Sequence, residues 1–211
     1  MKKKDIHLEI LILTVQALGE LTEKLIFLGG STISFYITEP EVVQIRETLD
    51  VDCVVEVSSR LEYEDLIQKL RKKGFTEDYE SKVICRYKKR ELILDVMPAD
   101  LKILGFTNKW YKSGIENAIE LDLEKTKIKV FSPAFLIASK IEAFKGRGKG
   151  SFSTSSDIED IVTVFDGRSN IAQDLMESPI DVNLSDLKII KRQRSFCEVF
   201  AKVKYDVVLV D

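Results

Sequence analysis

The stretch FLGGSTISFYITEPEVVQIRETLDVDCVVEV, residues 27–57, decides how this chain is read. An apolar run ends in Gly29-Gly30-Ser31, and about twenty residues later a second apolar run is interrupted by Asp50 and Asp52. In a strand successive side chains alternate between faces, so Asp50, Asp52, Val54 and Glu56 share one face and Val51, Cys53, Val55 and Val57 the other. Two carboxylates a few residues apart on one face repel each other unless a cation offsets them. From the alternation alone, a solvated strand edge with ordinary acids and a cation-binding pair both remain open.

Working outward, KLIFLGG reads as a short buried strand entering a glycine turn, and residues 5–22 before it carry apolar positions at a helical period. Ser31 reads as the N-cap of a short helix running to about Thr38, where Glu39-Pro40 stops it. EYEDLIQKLRKKG is a helix closed by Gly74, SKVICRYKKRELILDVM two strands joined through Lys88–Arg90, and AIELDLEKTKIKVF a hairpin turning at Glu124-Lys125. From Ser132 the pattern turns helical. SPAFLIASKIEAFKGRG has Pro133 at its first position, SDIEDIVTVFDGR follows a polar loop, and DVNLSDLKIIKRQRSFCEVFAKV reads as a further helix. The expected organisation is a mixed α/β core over 1–131 and a helical region over 132–211.

Composition narrows the classes. The chain has 211 residues, 45% hydrophobic and 32% charged, with a net charge of −3, so any basic footprint for nucleic acid is local. Three widely spaced cysteines (Cys53, Cys85, Cys197) and a single histidine, His7, give neither a zinc spacing nor a disulfide framework. His7 reads as a surface residue. The start MKKKDIHLEILIL is basic but its apolar run is broken by charges, and no apolar stretch spans a bilayer. A cytoplasmic protein is expected.

A third carboxylate strengthens the cation reading. Asp95 in ELILDVMP follows a strand pattern, and three acids from neighbouring strands make an oxygen cage suited to Mg2+ or Mn2+. The glycines let backbone approach a phosphate, and Ser31 can donate through its hydroxyl. The order is strand, anion-binding turn, helix, acidic strand.

Taken together, GGS, RETLDVD and ILDV resemble the nucleotidyltransferase superfamily with the polymerase-beta-like fold. Arg46-Glu47-Thr48-Leu49-Asp50-Val51-Asp52 is similar to the R-x-T-x-D-x-D run of AbiEii/MenT-type nucleotidyltransferases, many of them toxins of toxin–antitoxin pairs. The resemblance extends over about residues 25–168, through Lys140, Ala143 and Arg147 to the acidic pair Asp157 and Asp160. It implies an α+β fold, a mixed sheet with flanking helices and a C-terminal helical region.

It also implies roles. Gly29, Gly30 and Ser31 cradle the triphosphate, and Asp50, Asp52 and Asp95 bind the metals, Asp95 also serving the catalytic ion or as base. Lys140 holds phosphate charge, Asp160 orients that lysine or the acceptor, and Arg46 and Arg147 are candidate phosphate contacts, Arg46 alternatively pairing with Glu41 or an active-site acid. Mg2+ or Mn2+ is the implied metal and an NTP the substrate. The acceptor is a hydroxyl on tRNA, other RNA or protein, an antitoxin is an implied partner, and no membrane is involved.

Two departures from the family pattern stand out. No basic residue follows the glycine-serine turn until Arg46, and Ser156 stands where the family has arginine before the first downstream aspartate. Nucleotide affinity and acceptor choice therefore stay open, as do three other readings: a small-molecule antibiotic nucleotidyltransferase, a non-catalytic nucleotide-binding regulator, and a phosphodiesterase. For the remaining features, Asp157 fits a helix N-cap or an acid charging the start of its helix, and Lys140 read alone fits a solvated helix position. Basic pieces at KLRKKG, YKKRE and IIKRQR and the loop KGRGKGSFSTSS are the candidate acceptor contacts. Trp110-Tyr111 suits packing better than base stacking.

Overall fold

The computed structural model describes residues 6–147 and 154–180. The helix expected over DVNLSDLKIIKRQRSFCEVFAKV, the basic piece IIKRQR, Cys197 and part of the loop KGRGKGSFSTSS lie outside these residues. The chain divides into two units, the described parts of Met1–Thr32 with Glu47–Ser132, and of Ile33–Arg46 with Pro133–Asp211.

The first unit is built on a seven-stranded mixed sheet. Its strands are β1 (Ile26–Leu28), β2 (Asp50–Val55), β3 (Thr76–Glu77), β4 (Arg86–Lys89), β5 (Leu92–Pro98), β6 (Ile119–Leu123) and β7 (Thr126–Val130), in the order β3-β4-β5-β2-β1-β7-β6. β2 runs antiparallel to β1 and parallel to β5. It is therefore a central strand, and its sequence shows why. Val51 and Cys53 on one face are fully buried, and on the face shared by the aspartates Val54 is fully buried too. The sheet also holds the two expected hairpins, β4-β5 and β6-β7, each turning through a non-glycine residue in the left-handed region, Arg90 (φ 55) and Glu124 (φ 52).

Helices α1 (Ile6–Leu18), α2 (Arg60–Lys72), α3 (Leu101–Leu104) and α4 (Tyr111–Glu116) complete the unit. α1 stops at Leu18, short of the expected residue 22, because Gly19 adopts φ 58 and the chain continues as a 3-10 helix, Gly19–Lys24. α1 packs on β2 and β5. Its His7 is 5% exposed, so this histidine is buried, contrary to the surface position read from the sequence. α2 is capped at Ser59, whose side chain accepts from the Glu62 amide, and is followed by Gly74 at φ 88. The short β3, α3 and α4 were not legible in the sequence. None of the described helices is long and apolar enough to cross a membrane.

The second unit contains α5 (Pro133–Arg147), α6 (Ser156–Gly167) and α7 (Ile171–Glu177). The segment before Arg46 belongs with them, since the amides of Thr38 and Glu39 both donate to the Gly167 carbonyl at 2.7 and 2.9 Å. Gly167 is confined there, because a Cβ would stand 2.8 Å from Ile37 and 2.9 Å from Val43. The residues after the glycine pair form a 3-10 helix, Gly30–Tyr36. This corrects the expected helix capped by Ser31. The helix begins one residue earlier and ends at Tyr36, and its first turn is closed by the Thr32 amide and hydroxyl donating to the Gly29 carbonyl.

Candidate active site

The acids sit on one row of the sheet. In the β2-β5 register Asp52 is opposite Asp95, and in the β4-β5 register Asp95 is opposite Arg86. Residues directly opposite on neighbouring strands point to the same face about 5 Å apart. The row Asp52, Asp95, Arg86 is thus dictated by strand pairing, and Asp50 joins it from two positions up β2. Asp95 is buried, at 5% exposure, whereas Asp50 and Asp52 are half-buried.

Arg86 is the cation of this row. Its Nε donates to Asp95 Oδ1 and its Nη2 to Asp95 Oδ2, both at 2.8 Å, a fork-to-fork pair. The same Nη2 donates to Asp50 Oδ2 at 2.8 Å. Asp50 Oδ1 accepts from Thr48 Oγ1 at 2.6 Å, so both Asp50 oxygens are engaged. The hydrogen bonds to Asp95, followed by the charges of Asp95 and Asp50, raise the guanidinium above its ordinary value despite partial burial. Sequence reading missed Arg86. The signal was present, since drawing the β4-β5 hairpin around Arg90 places Arg86 opposite Asp95.

The glycine turn lies against Asp52. Leu28 is opposite Asp52 in the β1-β2 register, and Gly29 follows at φ 82. A Cβ on Gly29 would stand 2.0 Å from Asp52 Oδ2, so only glycine leaves room for this carboxylate. Ser31 is 1% exposed, and its hydroxyl is buried without a hydrogen-bond partner. A buried hydroxyl with no hydrogen-bond partner is unusual in a packed protein.

The second unit gathers the remaining candidates. Lys140 is 8% exposed, not solvated, and its Nζ lies 2.6 Å from Asp160 Oδ2 and 3.8 Å from Asp157 Oδ1. Arg46 donates from Nη2 to Asp160 Oδ2 at 3.2 Å, with Glu159 at 3.9 Å, and thus pairs with α6 acids. Arg147 donates from Nη2 to both Asp157 oxygens at 3.0 Å. Asp157 is not the N-cap of α6; Ser155 is, accepting from the Ile158 amide, which leaves the buried Asp157 to serve the cations. The run Arg46–Asp52 is therefore shared. Arg46 serves the second unit, while Thr48, Asp50 and Asp52 serve the first.

No protein-family model matches the chain, and no curated protein does. Solved structures do. An antigenic nucleotidyltransferase-like protein from Paracoccidioides brasiliensis, known from its crystal structure, superposes with a TM-score of 0.59 at 19% identity, covering 94% of this chain and 93% of that one. The chain has a nucleotidyltransferase-like fold. The solution structure of the antibiotic-resistance factor ANT(2'')-Ia aligns over 94% of this chain and 96% of its own, with a TM-score of 0.49 at 14% identity.

The acid row has ligand chemistry that suits a divalent ion, the group associated with nucleotidyltransferase-like folds. The donors of the row are carboxylate oxygens, the hard ligands that Mg2+ and Mn2+ take. They already converge on a cation, the Arg86 guanidinium, and an unpartnered hydroxyl stands at the adjoining turn. Among the described residues no group of three or more His, Cys, Asp or Glu forms a ready-made metal cage. In the acid row the oxygens of Asp95 and one oxygen of Asp50 are engaged by Arg86.

Proposed function

We propose that this chain is a nucleotidyltransferase that moves a nucleoside monophosphate from an NTP to a hydroxyl of RNA or protein. The observation that carries this reading is the in-register placement of Asp52 and Asp95, with Gly29 packed directly on Asp52 and the orphaned Ser31 hydroxyl following it. The R-x-T-x-D-x-D run at Arg46–Asp52 supports the AbiEii/MenT-type branch, with tRNA among the acceptors and a toxin–antitoxin pair as the setting. The free thiols of Cys53 and Cys85 support a reducing, cytoplasmic environment.

Each residue's task follows from its surroundings. Gly29 keeps the turn open so that backbone amides and the Asp52 carboxylate can both approach the phosphates. Ser31 has a hydroxyl proton to give to a phosphate oxygen and no competing acceptor. Asp50, Asp52 and Asp95 would hold Mg2+ or Mn2+, which when bound neutralises phosphate charge and acidifies the attacking hydroxyl. Thr48 fixes the Asp50 carboxylate by donating to one of its oxygens. Lys140 is the phosphate contact that the resemblance assigns, and Arg46 and Arg147 are further candidates for that role. Their pairing with Asp160 and Asp157 supports an orienting role for those acids. A covalent enzyme intermediate is not needed, and burial pushes the Cys53 and Cys85 thiols up, away from the reactive thiolate.

The test is incubation with each α-labelled NTP, Mg2+ or Mn2+, and total cellular RNA or protein extract. Label should join an acceptor with the unaltered chain and should be lost with Asp52→Ala. Transfer that persists in Asp52→Ala would remove the acid row from the reaction.

A further inference from the structure

The acid row holds a cation of its own, and that cation has a consequence for how the site loads. Arg86 and a divalent ion draw on the same oxygens. Three of its contacts fall on the row, two on Asp95 and one on Asp50, all at 2.8 Å. With Thr48 on the other Asp50 oxygen, every oxygen of Asp50 and Asp95 has a donor. The pairing is also sheltered, since the Arg86 side chain is 20% exposed and that of Asp95 7%. Removing the guanidinium would leave two neighbouring carboxylates without it, the buried Asp95 with little water, an arrangement that favours another positive charge.

We propose that Arg86 is an internal counter-cation of the acid row, neutralising Asp50 and Asp95 until a divalent ion takes over their oxygens. This rests on the nucleotidyltransferase reading and adds a positioning residue to it. A guanidinium spanning both carboxylates occupies the direction from which a shared ion would bind them, so the two cations compete. The apparent affinity for the ion is the intrinsic affinity multiplied by the fraction of molecules in which Arg86 has let go. An ion arriving alone must displace a bidentate pair without compensation, whereas one arriving with a triphosphate brings anionic oxygens to which the released guanidinium can turn. The arginine thereby biases the row toward the metal–nucleotide complex over the bare ion, and holds the acids together meanwhile.

The experiment titrates Mn2+ alone, followed by electron paramagnetic resonance, into the unaltered chain, Arg86→Gln, Arg86→Lys and Asp52→Ala. Arg86→Gln should bind Mn2+ about tenfold or more tightly than the unaltered chain, since a positive charge has left the ligand shell. Its melting temperature without divalent ions should drop, and Mn2+ should restore more of it than Mn2+ adds to the unaltered chain. Arg86→Lys keeps the charge and loses the fork, and should fall between the two. A readout free of folding concerns is the Arg86 Nε–H resonance of the unaltered chain, protected from exchange without divalent ions and losing that protection as Mg2+ saturates. Equal or weaker Mn2+ binding by a folded Arg86→Gln, or an Nε–H that stays protected at saturating Mg2+, would overturn the proposal. If no chain binds Mn2+ even with an NTP present, the nucleotidyltransferase reading beneath it falls first.

Discussion

Gly29→Ala puts a methyl group where the fold has reserved space for a carboxylate. Two costs can be worked from the geometry. The backbone at Gly29 has φ 82, and an L-residue in the left-handed region costs about 1–2 kcal/mol. The new Cβ would also lie 2.0 Å from Asp52 Oδ2, 2.8 Å from its Cγ and 2.9 Å from its Cβ. The carboxylate can swing aside but the Asp52 Cβ belongs to a central strand, so relief adds about 1–2 kcal/mol, in the range of modest overpacking. The total of about 2–4 kcal/mol should lower the melting temperature by roughly 5–15 °C for a chain of this size. A double-mutant cycle isolates the contact. In an Asp52→Ala background the two shortest contacts vanish and the backbone cost remains, so Gly29→Ala should be milder there by about 1 kcal/mol. Urea unfolding of the four proteins reads this directly. An identical cost in both backgrounds would refute the seating of Asp52 on the turn.

Other outcomes follow from the same geometry. Lys140→Met removes the nearest cation from Asp160, a carboxylate only 2% exposed, and Arg46 compensates in part. Urea unfolding should show a loss of about 2–4 kcal/mol, below the full cost of stripping a buried pair. Thr48→Val deletes the 2.6 Å bond to Asp50 Oδ1 and should raise the KM for NTP severalfold, with about 1 kcal/mol lost in stability. Burial pushes Cys85 up to about 12 and Cys53 upward as well, so both keep their protons at pH 8. Their native-state alkylation should run at least about a thousandfold slower than that of an ordinary thiol, and reach normal rates in urea, as mass spectrometry of the modified peptides would show.

The parts legible in the sequence were those with local causes. The alternation through Asp50–Val55 gave β2, Gly29 gave the turn, and the hairpins at Arg90 and Glu124 followed from apolar runs on either side of polar turns. The two-residue β3 and the short helices α3, α4 and α7, of four to seven residues, do not complete enough of a period to be recognised and were not seen. Two readings failed for reasons that lie in the tertiary structure. His7 has the composition of an exposed helix residue, yet it is buried. Ser31 has the chemistry of an N-cap, but the chain enters a 3-10 helix at Gly30 and leaves its hydroxyl unpaired. The candidate site shows the same divide. Its acids were readable because carboxylates in an apolar strand are conspicuous. Arg86 was not, because an arginine in a basic hairpin looks like any solvated charge until the register places it opposite Asp95. The sharing of the Arg46–Asp52 run between two units is likewise a tertiary fact, invisible in a contiguous motif.

The most direct test of the account is a crystal soaked with MnCl2 and a non-hydrolysable NTP, examined by anomalous diffraction. The account predicts manganese bound by Asp50, Asp52 and Asp95, with the triphosphate on the Gly29–Ser31 turn and within reach of the Ser31 hydroxyl. Manganese and nucleotide ordered elsewhere, with Arg86 still forked onto Asp95, would contradict it.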